Sequence, residues 1–136
     1  MAKDSAIKLG TDICSVKRIK EAYKKYGERF LDRILTNDEK EYVEGKAVKN
    51  QARRLSSLSE AVAGRFAAKE AVAKALGTGW NGIYWKEVEI TNTERGEPQV
   101  ILLGRAKKLL SQLGFSHVEI SLSHERDYAL ATVLLH

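Results

Sequence analysis

One cysteine, Cys14, is present in 136 residues. A single thiol cannot build a disulfide framework or a CxxC metal site. No apolar run approaches the ~20 residues that a membrane-spanning helix needs. The opening stretch, Met1 to Gly10, lacks the apolar core of a signal peptide. These absences exclude a disulfide scaffold and a membrane partner, and make the cytoplasm the default location. No internal repeat, linker or low-complexity segment interrupts the chain, so residues 1–136 are expected to form a single domain.

What the chain has in excess is positive charge, +5 at neutral pH. A basic surface calls for an acidic partner: nucleic acid, a phosphorylated small molecule or an acidic protein. Composition does not choose among them.

The pattern of the chain predicts an α+β fold, a small antiparallel sheet packed by helices. Ala6 to Ile13 alternates, with Ile7, Leu9, Thr11 and Ile13 on one side and Lys8, Gly10 and Asp12 on the other, which is strand periodicity. Val16 to Tyr26 repeats at helical spacing, with Lys17, Arg18, Lys20, Lys24 and Lys25 on its polar face and Gly27 as its stop. A short helical segment with Arg29, Phe30 and Arg33 follows. Thr36 and Glu39 form a capping box for a third helix ending near Gly45. Lys46 to Arg54 is polar and reads as a loop. Ser57 and Glu60 read as a second capping box, opening a helix that runs through Ala63 to Gly77. Val88 to Thr93 and Gln99 to Leu103 flank the turn Arg95 to Pro98 as a hairpin. Gly104 to Leu113 reads as a helix closed by Gly114. His117 to His124 and Tyr128 to Leu135 make a second hairpin.

The central helix is unusual in its contents. Gly64, Ala67, Ala68, Ala71 and Ala75 fall at helical spacing and form a smooth stripe on which another backbone can pack closely. Yet the same stretch carries Arg65, Lys69, Glu70 and Lys74. Taken singly, its charges have ordinary readings. Glu70 and Lys74, four apart, fit an exposed ion pair. Asp12, just ahead of a helix, fits a cap. His124 stands at a strand end, where a surface role is usual.

Taken in order, these residues resemble a known family. Gly10-Thr11-Asp12-Ile13, then Arg18-Ile19, RFLDRILT at Arg29 to Thr36, and GRFAAKEAVAKALGTG at Gly64 to Gly79 carry the resemblance, with Gly96-Glu97-Pro98 and SLSH at Ser121 to His124. The chain is similar over nearly its whole length to the holo-acyl-carrier-protein synthases, the small bacterial type of 4'-phosphopantetheinyl transferase. The resemblance implies a transferase of fatty acid and lipid biosynthesis. It would move the phosphopantetheine arm of coenzyme A to a serine of acyl carrier protein, releasing adenosine 3',5'-bisphosphate. It also implies a homotrimer with active sites at subunit interfaces.

The implied cofactor is magnesium, with Asp12 and Glu70 as its ligands. A hard cation of this kind takes carboxylate and phosphate oxygens and keeps several waters. Lys74, one turn beyond Glu70, would reach the same phosphates. The attacking serine belongs to the carrier, so the lack of a Ser-His-Asp or Cys-His arrangement is expected. Glu70, directly or through a metal-bound water, is the preferred base. Arg65 and His124 are implied at the 3'-phosphate of coenzyme A, and Gly96 to Pro98 near its adenine. Arg18, Arg29 and Phe30 match positions that dock an acidic helix of the carrier, with Lys24 and Lys25 adding to the field.

A second reading takes the same basic, aromatic region as a small RNA-binding domain, with Tyr23, Tyr26 and Phe30 as stacking platforms. It gives no reason for Glu70 in an alanine-rich helix. A third is a trimeric scaffold that has lost its chemistry. The chain departs from the family at Glu97, where a lysine is common. It departs again in a longer segment, Glu44 to Leu58, whose Arg53 and Arg54 serve the 3'-phosphate or merely extend a loop. Cys14 reads as an inert core or helix-start residue.

Overall fold

A computed structural model describes residues 6–136; the part of the N-terminal reading that falls on residues 1–5 lies outside the described residues. Strand β1 (Lys8–Ser15) runs into helix α1 (Val16–Tyr26), then α2 (Glu28–Ile34), α3 (Asn37–Lys46) and the long α4 (Gln51–Leu76). A 3-10 turn at Trp85–Glu87 leads to the hairpin β2 (Val88–Asn92) and β3 (Pro98–Leu102). Helix α5 (Gly104–Gln112) precedes a second hairpin, β4 (Val118–His124) and β5 (Tyr128–Leu135). The fold is α+β, but the strands form two antiparallel sheets: β1-β5-β4 and the separate pair β2-β3.

Strand β5 is the centre of the larger sheet. Asp12 of β1 pairs with Ala131, which pairs on its other side with Leu122 of β4. The inner face of this sheet is built from small side chains, Cys14, Ala129 and Ala131, with Gly10 among them and Val133 beside it, all buried. Against it lies the alanine stripe of α4, where Ala67, Ala68, Ala71 and Ala75 are at most 1% exposed. The approach is so close that a Cβ on Gly10 would stand 2.1 Å from the carbonyl oxygen of Ala71 and 2.7 Å from the amide nitrogen of Ala75. Glycine is the residue that allows a strand backbone to meet a helix backbone directly.

The bulky residues of β1 face the other way. Leu9 and Ile13 are 64% and 63% exposed, and Tyr128 and Leu130 on β5 join them. Ile13 and Leu130 are register partners. This outer face is an apolar surface that nothing among the described residues covers.

Helix α4 begins earlier than its sequence suggests. Asn50, not Ser57, is its N-cap, accepting a hydrogen bond from the amide of Ala52 at 2.9 Å. Ser57 lies inside the helix; its Oγ donates to the carbonyl of Arg54 and accepts from the amide of Val48. The expected loop therefore ends at Asn50, and Gln51 to Arg54 is helical. Arg54 is held by Glu44 at 2.6 Å. At 26 residues the helix is ~39 Å long. Gly77, with φ 83°, ends it in the left-handed conformation. The capping box at Thr36 and Glu39 is present as expected.

Glu39 does more than cap. Its Oε1 lies 2.7 Å from Nζ of Lys69, and both side chains are wholly buried. Lys69 also donates to the carbonyls of Trp85 at 2.9 Å and Val88 at 2.6 Å. All three of its N–H bonds thus have acceptors. Glu39 in turn accepts from the amides of Thr36 and Ile90. Burial pushes the Lys69 ammonium below its usual range, and the Glu39 carboxylate works against that shift. This satisfied pair ties α3, α4 and β2 together inside the core.

Candidate active site

Asp12 is not a helix cap. The cap of α1 is Ser15, whose Oγ accepts from the amide of Arg18. Asp12 lies in β1 two residues beyond Gly10, and the close packing of Gly10 on α4 brings it beside the helix. There Lys74 Nζ donates to Asp12 Oδ1 at 2.8 Å and to the carbonyl of Thr11 at 3.1 Å. So the expected Glu70–Lys74 pair is replaced by an Asp12–Lys74 pair. Asp12 and its neighbours hold the Lys74 ammonium above its usual range, chiefly through that hydrogen bond. Glu70 finds another donor: the indole N–H of Trp80, 3.3 Å from Oε1.

Asp12 and Glu70 line one cavity of about 400 Å³, together with Cys14, Arg18, Phe30 and Phe66. Two residues expected at the metal and two expected at the carrier-docking surface thus share a wall. Arg29 is exposed on α2 and does not line the cavity. The negative character of the cavity registers on Cys14. Burial first, then the charges of Asp12 and Glu70, push its thiol up from 9.0 to about 11, while Arg18 opposes them. The thiol is free and buried, hence inert at neutral pH.

A second group forms on the other side of α4. Arg65 is 4% exposed, with its guanidinium 3.7 Å from the ring centre of Tyr42. It donates to Oδ1 of Asn92, and Nδ2 of Asn92 donates to the carbonyl of Gly96 at 3.0 Å. Arg65 and the Gly96–Pro98 turn, expected at one substrate, are therefore linked through a residue the sequence did not single out. Nε of Arg65 is buried without an acceptor, an unusual state for a donor. Five residues separate Arg65 from Glu70, and nine separate it from Lys74. At 3.6 residues per turn these place Arg65 ~140° and ~180° around the helix from them. One chain does not bring the two groups together. His124 is exposed at the end of β4, in the same register row as Ala129 and Cys14, two strands across the sheet from that cavity-lining cysteine; it does not itself line the cavity.

Among the described residues no three His, Cys, Asp or Glu side chains gather. Two carboxylates facing one cavity are a hard, oxygen-only, incomplete ligand set. That suits a magnesium ion that completes its shell with water and phosphate oxygens, and it suits a softer or fully caged metal poorly. The residues fit the ion.

Sequence reasoning missed Trp80, Asn92 and Tyr42. The only sequence signal for Trp80 is a lone large aromatic among glycines just after a helix stop. Asn92 and Tyr42 carry no local signal.

Residues 8–133 match the model of the 4'-phosphopantetheinyl transferase superfamily. A holo-[acyl-carrier-protein] synthase of Vibrio parahaemolyticus is 44% identical over 128 residues, covering 93% of this chain and 94% of the relative. One of Gloeobacter violaceus is 40% identical over 126 residues, covering 93% and 89%. The crystal structure of a holo-(acyl-carrier-protein) synthase from Bacillus anthracis, in complex with CoA (3',5'-ADP), superposes with a TM-score of 0.74. It is 35% identical and covers 96% of this chain and 97% of that one.

Proposed function

This chain belongs to the 4'-phosphopantetheinyl transferase superfamily, and on that premise we propose that it transfers the 4'-phosphopantetheine arm of coenzyme A to a serine of apo acyl carrier protein. The observation that carries the reading is the shared cavity, in which the Asp12 and Glu70 carboxylates lie beside Arg18 and Phe30. Chemistry and carrier recognition then meet at one place.

The serine Oγ attacks the phosphorus bearing the pantetheine arm. The bond from that phosphorus to the bridging oxygen breaks, and its electron pair leaves with adenosine 3',5'-bisphosphate. The serine proton passes to the Glu70 carboxylate, directly or through an intervening water. Asp12 and Glu70 would hold the magnesium ion, which when bound would offset charge on the pyrophosphate. Lys74, exposed on a flexible stem, exchanges its contact with Asp12 for pyrophosphate oxygens. Such a step depends mainly on positioning and electrostatics. Arg18, Arg29 and Phe30 receive the acidic carrier helix, and the basic surface of α1 steers it.

The 3'-phosphate and adenine go to Arg65, His124 and the Gly96–Pro98 turn. A phosphate oxygen would satisfy the orphaned Nε of Arg65. Arg65, and with it the turn it is linked to, lies around α4 from Glu70, so two copies of the chain contributing to one site would bring both groups to one substrate molecule. The apolar outer face of the β1-β5-β4 sheet is a surface on which copies can associate. Both features support a homotrimer with sites between subunits. Each copy is proposed to be a single domain working in the cytoplasm. No helix among the described residues is long and apolar enough to cross a membrane.

The test is to incubate the protein with apo carrier, coenzyme A and magnesium, and follow the carrier by mass spectrometry. A gain equal to the phosphopantetheine arm, lost on adding a chelator, is expected. No gain with any of several apo carriers overturns the reading.

A further inference from the structure

The Glu70 carboxylate sits at the end of a long side chain with several rotatable bonds. Lys74, its nearest expected partner, is engaged elsewhere. Among the described residues one side chain holds it: the Trp80 indole N–H, which donates to Oε1. Trp80 is itself fixed. Its ring stacks on Trp85, with centroids 3.9 Å apart and planes 19° from parallel. Trp85 packs in turn on Phe66, at 5.0 Å, and Phe66 is a wall of the Asp12–Glu70 cavity. The backbone of this stack is pinned from below, because the carbonyl of Trp85 accepts from the buried Lys69. The loop that delivers Trp80 is shaped by Gly77 and Gly79, both with positive φ, and the amide of Gly79 bonds back to the carbonyl of Ala73. A rigid aromatic wall therefore presents one donor to one oxygen of one carboxylate.

We propose that Trp80 is a positioning residue for Glu70. Its N–H occupies Oε1 and holds the carboxylate in a single orientation, so that Oε2 would be left for a divalent cation shared with Asp12. This rests on the reading of Asp12 and Glu70 as the metal pair. Outer groups that orient a ligand commonly change metal affinity ten- to a hundredfold when removed, and a preorganised carboxylate loses less rotamer freedom on binding.

The experiment is a titration with Mn2+ as the probe, counting free ion by electron paramagnetic resonance, with no substrate present. Wild type is compared with Trp80→Phe, which keeps an aromatic ring but removes the donor, and with Glu70→Gln. Urea unfolding of each variant runs beside it. A second replacement, of Trp80 by 3-benzothienylalanine, keeps the full bicyclic shape and exchanges only the N–H for sulfur. The expected result is that Glu70→Gln removes the site. Both Trp80 replacements should weaken Mn2+ binding about tenfold, the benzothienyl form with its unfolding midpoint unchanged. Wild-type affinity in the benzothienyl protein overturns the positioning role, even if Trp80→Phe is impaired, since packing alone would then explain the loss. Wild-type affinity in Glu70→Gln overturns the metal pair itself and the proposal with it.

Discussion

Replacing Gly10 by alanine tests the link between fold and chemistry at its narrowest point. The added Cβ would meet Ala71 O at 2.1 Å and Ala75 N at 2.7 Å, where ordinary contact begins at 3.4 Å. Both obstructing atoms are helix backbone, so neither can rotate aside. Strand and helix must part by about 1.3 Å at this point. Overpacking of a core costs about 1–3 kcal/mol, and the upper end applies because no side chain can yield. With a urea slope of roughly 2 kcal/mol per molar, the midpoint should fall by about 1.5 M, compared at equal protein concentration. Asp12, two residues on, moves with the strand. A misplacement of ~1 Å can cost about a hundredfold in rate, so transfer should drop by that order under conditions where the variant stays folded. Ala75→Gly removes the Cβ that stands 3.0 Å from the new methyl but leaves both backbone atoms in place. It should not rescue Gly10→Ala. A variant within 0.5 kcal/mol of wild type, or a rescue by Ala75→Gly, would refute the backbone-contact reasoning.

Other consequences follow from the same structure. Lys69→Met leaves the Glu39 carboxylate buried without its cation and two carbonyls without a donor, which should cost about 3–5 kcal/mol; a loss under 1 kcal/mol by chemical denaturation would show that the pair contributes little. The Cys14 thiol should make stability fall in alkali. Its folded value of about 11 exceeds the ordinary 9.0, so the unfolded chain ionises first, and the contribution present below pH 9 is lost as pH rises through that window. In metal-free buffer wild type should lose stability relative to Cys14→Ala between pH 9 and 11, and parallel curves would contradict this. Finally, Glu70→Gln and Arg65→Ala chains, each inactive alone, should regain activity when refolded together. Random mixing leaves about a quarter of the sites with both residues intact if each site draws on two copies, whereas sites contained within one chain would stay dead.

Much of this architecture is legible in the residues because local pattern and tertiary role agree. The alternation of Val118 to His124 and the Thr36–Glu39 capping box were found where expected. Helix α4 begins six residues ahead of Ser57 because Ser57 and Glu60 imitate a start signal, while Gln51 to Arg54 carries no apolar face to reveal it. The carboxylates at 12 and 70 could be named from their order in the chain. Their partners could not. Lys74 chooses Asp12 over Glu70 because a glycine 64 positions earlier lets β1 touch the helix, and spacing along one helix says nothing of that. Lys69 reads as one more charge on a helix. Only its neighbours Ala67, Ala68, Ala71 and Val72 hint that it is inside.

The Glu39–Lys69 pair also bears on how the molecule opens. The amide of Ile90 donates to Oε2 of Glu39, so hydrogen exchange at that amide requires a buried carboxylate to give up its partner. That carboxylate is bound to the middle of α4 and caps α3. Strand β2 therefore cannot fray by itself, as a two-stranded ribbon otherwise would. Loosening it means breaking the helix contacts in the same event. Ile90 should exchange as slowly as the core of α4, and the amides of Trp85 to Asn92 should respond to denaturant as one cooperative unit with that helix rather than as a loop.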